Sequence, residues 1–76
     1  MGVKKSIKKL LRSPSEMRIE EIINILNFLG YKLDRIKGSH YIFAKKEMDD
    51  IIIPSHNKKV TKIYLKEIRK ILISLI

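Results

Sequence analysis

The clearest pattern in the chain is a helical repeat of apolar residues that starts at position 19. Apolar residues recur there at intervals of three and four, which is the spacing of one helix face. They are Ile19, Ile22, Ile23, Leu26 and Leu29, with Ile25 widening the stripe. Gly30 follows at once and can adopt the left-handed conformation that ends many helices. The pattern predicts an amphipathic helix from residue 19 to residue 29.

Short apolar runs typical of β-strands follow Gly30. Residues 31–36 and 41–44 lie on either side of Lys37-Gly38, where we expect the turn of a β-hairpin, with Gly38 supplying any positive φ that the turn needs. This hairpin places His40 at the start of its second strand. A polar turn at residues 47–50 leads into a third strand, 51–53, which ends at Pro54 because proline cannot donate to a strand ladder.

Two further helices are predicted, one towards each end of the chain. After a polar loop at residues 55–59, Thr61 can cap a final helix. The apolar stripe of this helix consists of Tyr64, Leu65, Ile68, Ile71, Leu72 and Leu75. Residues 3–11 carry a short apolar stripe among lysines and predict a basic helix that is marginal in isolation.

Residues 13–16 are compatible with two local structures. Ser13-Pro14-Ser15-Glu16 has the residues of a helix start, so the main helix could begin there. The same residues are also typical of a turn. We favour the turn, because a helix that begins near Arg18 has Glu20 and Glu21 in its first turn, where the helix dipole favours acids.

The order of these elements predicts an α+β fold with two layers. Consecutive hairpins give a three-stranded antiparallel sheet within an α-β-β-β-α order, and both amphipathic helices must cover one face of the sheet. A chain of 76 residues has room for one small domain. We expect a basic N-terminal extension at residues 1–17, formed by a short helix and a turn, and one folded domain at residues 18–76.

Alternation along the second strand predicts which side chains face away from the helices. Tyr41 and Phe43 share one side of the strand, whereas His40 and Ile42 share the other. Because Tyr41 and Phe43 bring the larger apolar area, theirs is the side expected under the helices. His40 and Ile42 are then expected on an open sheet face, and the same argument adds Ile52.

The net charge of +9 indicates a negatively charged class of partner. Such an excess attracts polyanions, of which nucleic acid is the first candidate, although a lysine-rich chain can also reflect genomic base composition. The basic residues form two groups that contain few acids, which suggests a basic surface. The groups are Lys4, Lys5, Lys8, Lys9 and Arg12, and Lys58, Lys59, Lys62, Lys66, Arg69 and Lys70.

Several chemistries are disfavoured by what the chain contains. It has no cysteine, which excludes disulfides, a thiolate nucleophile and cysteine-ligated zinc. Two histidines, His40 and His56, are few for a histidine-rich metal site, so we expect no metal and no cofactor. No apolar run approaches the ~20 residues of a membrane span, and the N-terminus has no apolar signal region. We expect a cytoplasmic, monomeric protein without a membrane partner.

Three stretches of the sequence resemble the HicA family of bacterial and archaeal toxins. They are Leu29-Gly30-Tyr31, the run Lys37-Gly38-Ser39-His40-Tyr41-Ile42-Phe43, and Ile53-Pro54-Ser55-His56 with the helix after it. The resemblance covers roughly residues 19–74. It implies a fold like the double-stranded-RNA-binding domain, ribosome-independent cleavage of mRNA, and neutralisation by a HicB-like antitoxin. It also implies a catalytic role for His40, whereas the looser match at His56 implies none.

The residues around His40 suit metal-free RNA cleavage. That reaction needs a base for the 2′-hydroxyl proton, an acid for the leaving 5′-oxygen and a cation near the phosphorane. Neutral imidazole can serve in either proton role, and Lys37 or a lysine of the final helix can steady the phosphate charge. The second proton role stays open between Tyr41, His56 and water. The residues expected to contact RNA are Lys37, Gly38, Ser39, Tyr41, His56 and Lys62.

Other interpretations fit the same composition. A single histidine on a strand is more often an ordinary surface residue than a catalyst. A non-catalytic RNA-binding module of the same fold is therefore the main alternative, and a basic protein–protein adaptor is the third. Only the Gly38-Ser39-His40 motif and its context favour the enzyme.

Overall fold

The computed structural model describes residues 2–75. The elements in chain order are α1 (Val3–Leu11), β1 (Glu16–Arg18), α2 (Ile19–Phe28), β2 (Lys32–Lys37), β3 (His40–Ala44), β4 (Ile51–Pro54), β5 (Lys59–Thr61) and α3 (Lys62–Leu75). Helices α2 and α3 and the sheet β2-β3-β4 form the expected α-β-β-β-α arrangement, so the predicted α+β fold is confirmed. Helix α1 is the predicted basic N-terminal helix.

Helix α2 begins where the turn interpretation places it. The N–H of Ile19 donates to the carbonyl of Lys58 at 2.8 Å, and the Glu21 carboxylate accepts the N–H of Arg18 at 3.3 Å. Both bonds satisfy amide groups that a helix start leaves without an intrahelical partner. Residues 13–16 precede the helix as turn and strand, with Ser13 at a positive φ of 56°.

The end of α2 is a Schellman motif built on Gly30, as the sequence predicts. Gly30 has a φ of +95°, the N–H of Tyr31 donates to Leu26 O at 2.8 Å, and the N–H of Gly30 donates to Asn27 O at 3.0 Å. The Lys45 ammonium adds a bond of 3.0 Å to Leu29 O and lies 5.3 Å from the ring centroid of Tyr31. The C-terminal end of α2 is therefore held by Lys45, the residue that follows β3.

The three-stranded sheet is antiparallel, with β3 in the centre. Strands β2 and β3 pair from Lys32 opposite Ala44 to Lys37 opposite His40. On its other edge β3 pairs with β4, where Pro54 lies opposite His40. Pro54 lies on an edge strand, the place in a sheet where a residue without an N–H is tolerated.

A second, two-stranded sheet was not predicted from the sequence. Strand β1 pairs antiparallel with β5, and Met17 lies opposite Val60. These two side chains are 2% and 0% exposed, and Lys59 forms an ion pair of 3.1 Å with Glu16 beside them. Each strand has three residues and one buried side chain, which is too short for a recognisable alternation. The segment expected as a polar loop after Pro54 thus ends in a strand.

Helix α1 packs on the outside of the other two helices and takes part in the hydrophobic core. Leu10 is fully buried, and its carbonyl accepts a bond of 3.5 Å from the Arg69 guanidinium of α3. Lys9 pairs with Glu21 of α2 at 3.2 Å. The main packing partners of α1 are α2 and α3. Residues 3–18 are therefore joined to the rest of the molecule by core contacts as well as by the chain.

Within residues 2–75, none of the helices combines the length and the hydropathy that a bilayer-spanning segment requires.

Candidate active site on the open face of the sheet

The β2–β3 hairpin has a two-residue loop, Gly38-Ser39, immediately before His40. Gly38 has a φ of +58° and Ser39 a negative one, as in a type II′ turn, which suits the twist of paired strands. A Cβ atom at Gly38 would meet no atom within 4 Å. Glycine is therefore favoured here by backbone conformation and not by crowding. The short loop fixes His40 as the first residue of β3.

The predicted faces of β3 are confirmed. Phe43 is fully buried in the core, and Tyr41 is partly buried against the same core. His40 is exposed. Helices α2 and α3 therefore cover the Tyr41 and Phe43 face, and His40 lies on the face that they leave open.

Three residues form a row across the open face at the level of His40. Lys37 of β2 lies directly opposite His40 on one side, and Pro54 of β4 lies opposite it on the other. Side chains of directly opposite residues share a face, with Cβ atoms roughly 4.5–5.5 Å apart. The side chains of Lys37 and His40 are therefore neighbours on this face, and both are exposed.

A β-bulge in β2 brings Lys32 to this face, on which Arg35 already lies by alternation with Lys37. The pairing shifts between Leu33 and Arg35, so that Asp34 has no direct partner on β3. Under strict alternation, Leu33 would share the face of Arg35 and Lys37. The bulge instead lets Leu33 pack against the core while Arg35 and Lys37 stay on the open side, and Lys32 beyond it returns to that side as well.

Sequence reasoning missed Arg35 and Lys32 as open-face residues. Alternation from Lys37 places Arg35 on the open face. It cannot reveal the bulge, which changes the face of Lys32 and of every other residue before Asp34. The signal that could have found it is Leu33, whose apolar side chain two residues before Arg35 conflicts with a uniformly basic face. Arg35 also forms an ion pair with Asp34, and both side chains are about half exposed.

The expectation that Ile42 is an accessible apolar residue is wrong. Ile42 does belong to the open face, but it is only 5% exposed, because it lies in the central strand between Arg35 and Ile52. Ile52, on the edge strand β4, is 53% exposed. The accessible apolar group of this face is therefore Ile52.

The hairpin turn is attached to the end of β4 by one hydrogen bond. The N–H of Ser55 donates to the carbonyl of Ser39 at 2.7 Å. Ser55 is 6% exposed, and its hydroxyl has no hydrogen-bond partner among residues 2–75. The bond extends the β3–β4 ladder past Pro54 and restrains the backbone directly before His40.

The family relationship agrees with these positions. A model of the HicA toxin family of bacterial toxin–antitoxin systems matches residues 19–72. The chain belongs to the HicA toxin family. The matched range runs from the start of α2 almost to the end of α3 and leaves α1 and β1 outside it. No curated protein and no solved structure gave a significant match.

Membership in this family gives the toxin a partner, since a toxin–antitoxin system pairs each toxin with an antitoxin.

In this toxin, His56 lies two residues beyond Pro54 in a second tight turn. Its N–H donates to Lys59 O at 3.0 Å and its carbonyl accepts from Lys59 N–H at 2.9 Å, with Asn57 and Lys58 at positive φ between them. His56 is exposed, at the end of the sheet where His40 also lies.

Two residues expected to contact RNA do not share the open face of the toxin. Tyr41 packs on the helix-covered side, so its phenol does not lie beside the His40 imidazole. Lys62 begins α3 and lines a surface concavity that contains no residue of β2, β3 or β4. That concavity is lined by Ser13, Pro14, Lys62, Ile63, Lys66 and Arg69.

The His40 side chain has no hydrogen-bond or ion-pair partner among residues 2–75. Within the same residues, no group of three or more His, Asp or Glu side chains is placed to hold a metal ion. The open face therefore offers a free imidazole, neighbouring cations and a firmly held backbone.

Proposed function

We propose that this HicA-family toxin is a ribosome-independent endoribonuclease that cleaves mRNA in the cytoplasm, with His40 as the proton-transfer residue and without a metal ion. The observation that carries the proposal is the direct opposition of Lys37 and His40 on an exposed sheet face. A proton carrier and a cation are the two groups that a transphosphorylation site needs most.

The reaction follows from these groups. His40 takes the proton of a ribose 2′-hydroxyl, and the 2′-oxygen forms a bond to the adjacent phosphorus. The bond from phosphorus to the 5′-oxygen of the next nucleotide breaks, and that oxygen takes a proton. The products are a 2′,3′-cyclic phosphate and a 5′-hydroxyl. Lys37 faces the extra negative charge that the phosphate carries at the transition state.

The second proton role falls to His56 or to water. Tyr41 lies on the other side of β3, which leaves His56 as the remaining side-chain candidate of the three considered. His56 follows Pro54, the residue directly opposite His40, at a distance of two residues along the chain. The contacts that we propose for the RNA backbone are Lys37, Gly38, Ser39 and His56, together with Lys32 and Arg35.

One observation favours the alternative of a non-catalytic RNA-binding module. Catalytic histidines are normally oriented by a second group, and His40 has no such partner within the described residues. A histidine that only contacts phosphate needs no orientation. The two functions differ in whether a bond is broken, so they are separable by experiment.

A HicB-like antitoxin is the proposed inhibitor, and its proposed binding site is the open sheet face. The basic residues Lys32, Arg35 and Lys37 attract an acidic partner, and Ile52 gives it an apolar group to bury. A protein bound there excludes RNA from His40 directly.

The test is cleavage of an unstructured RNA by purified toxin in excess EDTA, with the ends of the products identified. We expect products with 2′,3′-cyclic phosphate and 5′-hydroxyl ends. Because His40 is exposed, His40→Ala leaves the circular dichroism spectrum unchanged while the rate falls about 10²–10⁴-fold. Cleavage at the native rate by folded His40→Ala, or activity that needs Mg²⁺, contradicts the mechanism.

The matched control is the other histidine. His56→Ala is expected to lower the rate less than His40→Ala if water takes the second proton role. An equal loss assigns that role to His56. Tight RNA binding without cleavage by the native toxin supports the binding-module alternative.

A further inference from the structure

Helix α1 divides its surface sharply between apolar and basic residues. At 3.6 residues per turn, its four lysines and the C-cap residue Arg12 fall within an arc of about 140°. They are Lys4, Lys8, Arg12, Lys5 and Lys9 in order around the helix axis. All five are exposed, and the opposite side of the helix packs on the core through Val3, Ile7 and Leu10.

The fold itself makes little use of these charges. Lys9 pairs with Glu21, but the side chains of Lys4, Lys8 and Arg12 have no ion pair or hydrogen bond within residues 2–75. Lys4 and Lys8, and again Lys8 and Arg12, are like charges four residues apart, which repel on a helix surface. Lys4 also lies in the first turn, where a cation opposes the helix dipole. Lys8 and Lys9 lie in the last turn, where the dipole favours cations, so dipole and repulsion act in opposite directions there.

Three kinds of partner bind a basic helix face, and the packing of α1 favours one. A membrane-bound amphipathic helix needs a free apolar side, but in α1 that side is buried, with Leu10 fully covered. A protein interface needs an apolar centre, and the only large apolar side chain of α1 that is substantially exposed is Leu11, at 46%. A nucleic acid backbone needs only regularly spaced cations. Residues Lys4, Lys8 and Arg12 supply them at intervals of about 6 Å along the helix.

We propose that the basic face of α1, made of Lys4, Lys8 and Arg12 with Lys5 and Lys9 at its edge, is a second binding surface for the phosphate backbone of RNA. It lies outside the range that matches the HicA family, so it is a feature of this chain beyond the family domain. The inference rests on the proposed function for the choice of RNA as the polyanion. It does not require that His40 cleaves it.

The position of α1 predicts the form of RNA that it binds together with the site. Helix α1 packs on α2 and α3, on the helix side of the sheet, whereas His40 is on the open side. The molecule is about 29 × 28 × 23 Å, so a flexible single strand that passes around its edge reaches both surfaces. A stiff duplex reaches only one of them. Long single strands should therefore gain affinity from α1, and short ones that cover only the sheet should not.

The experiment compares two charge-matched triple variants in the His40→Ala background, where RNA is not consumed. Lys4→Gln/Lys8→Gln/Arg12→Gln removes the α1 face. Lys46→Gln/Lys66→Gln/Lys70→Gln removes the same net charge from exposed lysines elsewhere. Fluorescence anisotropy measures the Kd for oligouridylates of about eight and about forty nucleotides over a range of salt concentrations.

We expect the α1 variant to bind the long RNA about tenfold more weakly and its salt slope to fall by about two units, since each phosphate contact contributes about 0.7. The control variant should change less, and the short RNA should be bound almost equally by both. Thermal melting should show the α1 variant to be about as stable as its parent, because relieved like-charge repulsion and lost interaction with the helix dipole oppose each other.

Several results would overturn the proposal. If the two triple variants lose equal affinity for RNA, the loss comes from net charge alone and not from the α1 face. An unchanged Kd and slope in the α1 variant removes α1 from RNA binding. Loss of binding to phosphatidylserine vesicles or to the antitoxin, with RNA binding intact, assigns the face to a membrane or a protein instead. If the native toxin does not cleave RNA, the measured contribution of α1 to RNA binding is unaffected. The two proposals are therefore tested independently.

Discussion

Lys37 and His40 lie directly opposite each other on the β2–β3 ladder, as the two residues that flank the Gly38-Ser39 turn. A two-residue loop leaves no freedom in their relative position, because any change of register would alter the loop length. The pair is further held by the bond of 2.7 Å from Ser55 N–H to Ser39 O. The hairpin therefore fixes the backbone positions from which a lysine and a histidine extend as neighbours on one face.

Lys37→Gln should slow RNA cleavage by about tenfold at saturating RNA, because it removes a cation near the developing phosphate charge. We expect this loss of rate to be smaller than the loss caused by removing a buried oxyanion donor, because Lys37 is exposed to solvent. Single-turnover rates at saturating RNA measure it, with Lys46→Gln as the control for net charge. An unchanged rate with a weakened Kd would make Lys37 an RNA contact without a role in the chemical step.

Ile52→Lys should weaken inhibition by the antitoxin more than it weakens cleavage. Ile52 is 53% exposed on the open face, where a protein partner can bury it and RNA has little use for it. Ile42 does not serve for this test, because a lysine at that buried position would destabilise the sheet.

Titration of antitoxin into the cleavage assay measures this effect. Ile63→Lys is the control, because Ile63 is 68% exposed on α3, away from the open face. If the antitoxin inhibits Ile52→Lys as well as it inhibits the native toxin, the interface lies elsewhere on the molecule.

Leu10→Ala should lower the free energy of unfolding by about 2–5 kcal/mol, because it leaves a cavity between α1 and the other helices. The adjacent Leu11 is 46% exposed, so Leu11→Ala should change stability by no more than about 0.5 kcal/mol. Urea denaturation of both variants measures the difference. Two small and equal effects would mean that α1 is not part of the cooperative core.

The sequence determined those elements whose signals are local. The apolar stripe from Ile19 to Leu29 and the glycine after it specify α2 and its end, because helix periodicity and the left-handed cap act within a few residues. The place of His40 on the open face also follows from the sequence. It requires only the turn at Gly38-Ser39 and the greater apolar area of Tyr41 and Phe43 on the other side.

The tertiary structure decided what depends on pairing between distant residues. Strands β1 and β5 have too little pattern to be predicted, and they form because Met17 and Val60 complete one core. The bulge at Asp34, which adds Lys32 to the open face beside Arg35, arises because Leu33 must reach that core. The burial of Ile42 follows from its central strand, whose neighbours on both sides cover it. Alternation assigns a side chain to a face, but its exposure there is set by the strands that pack beside it.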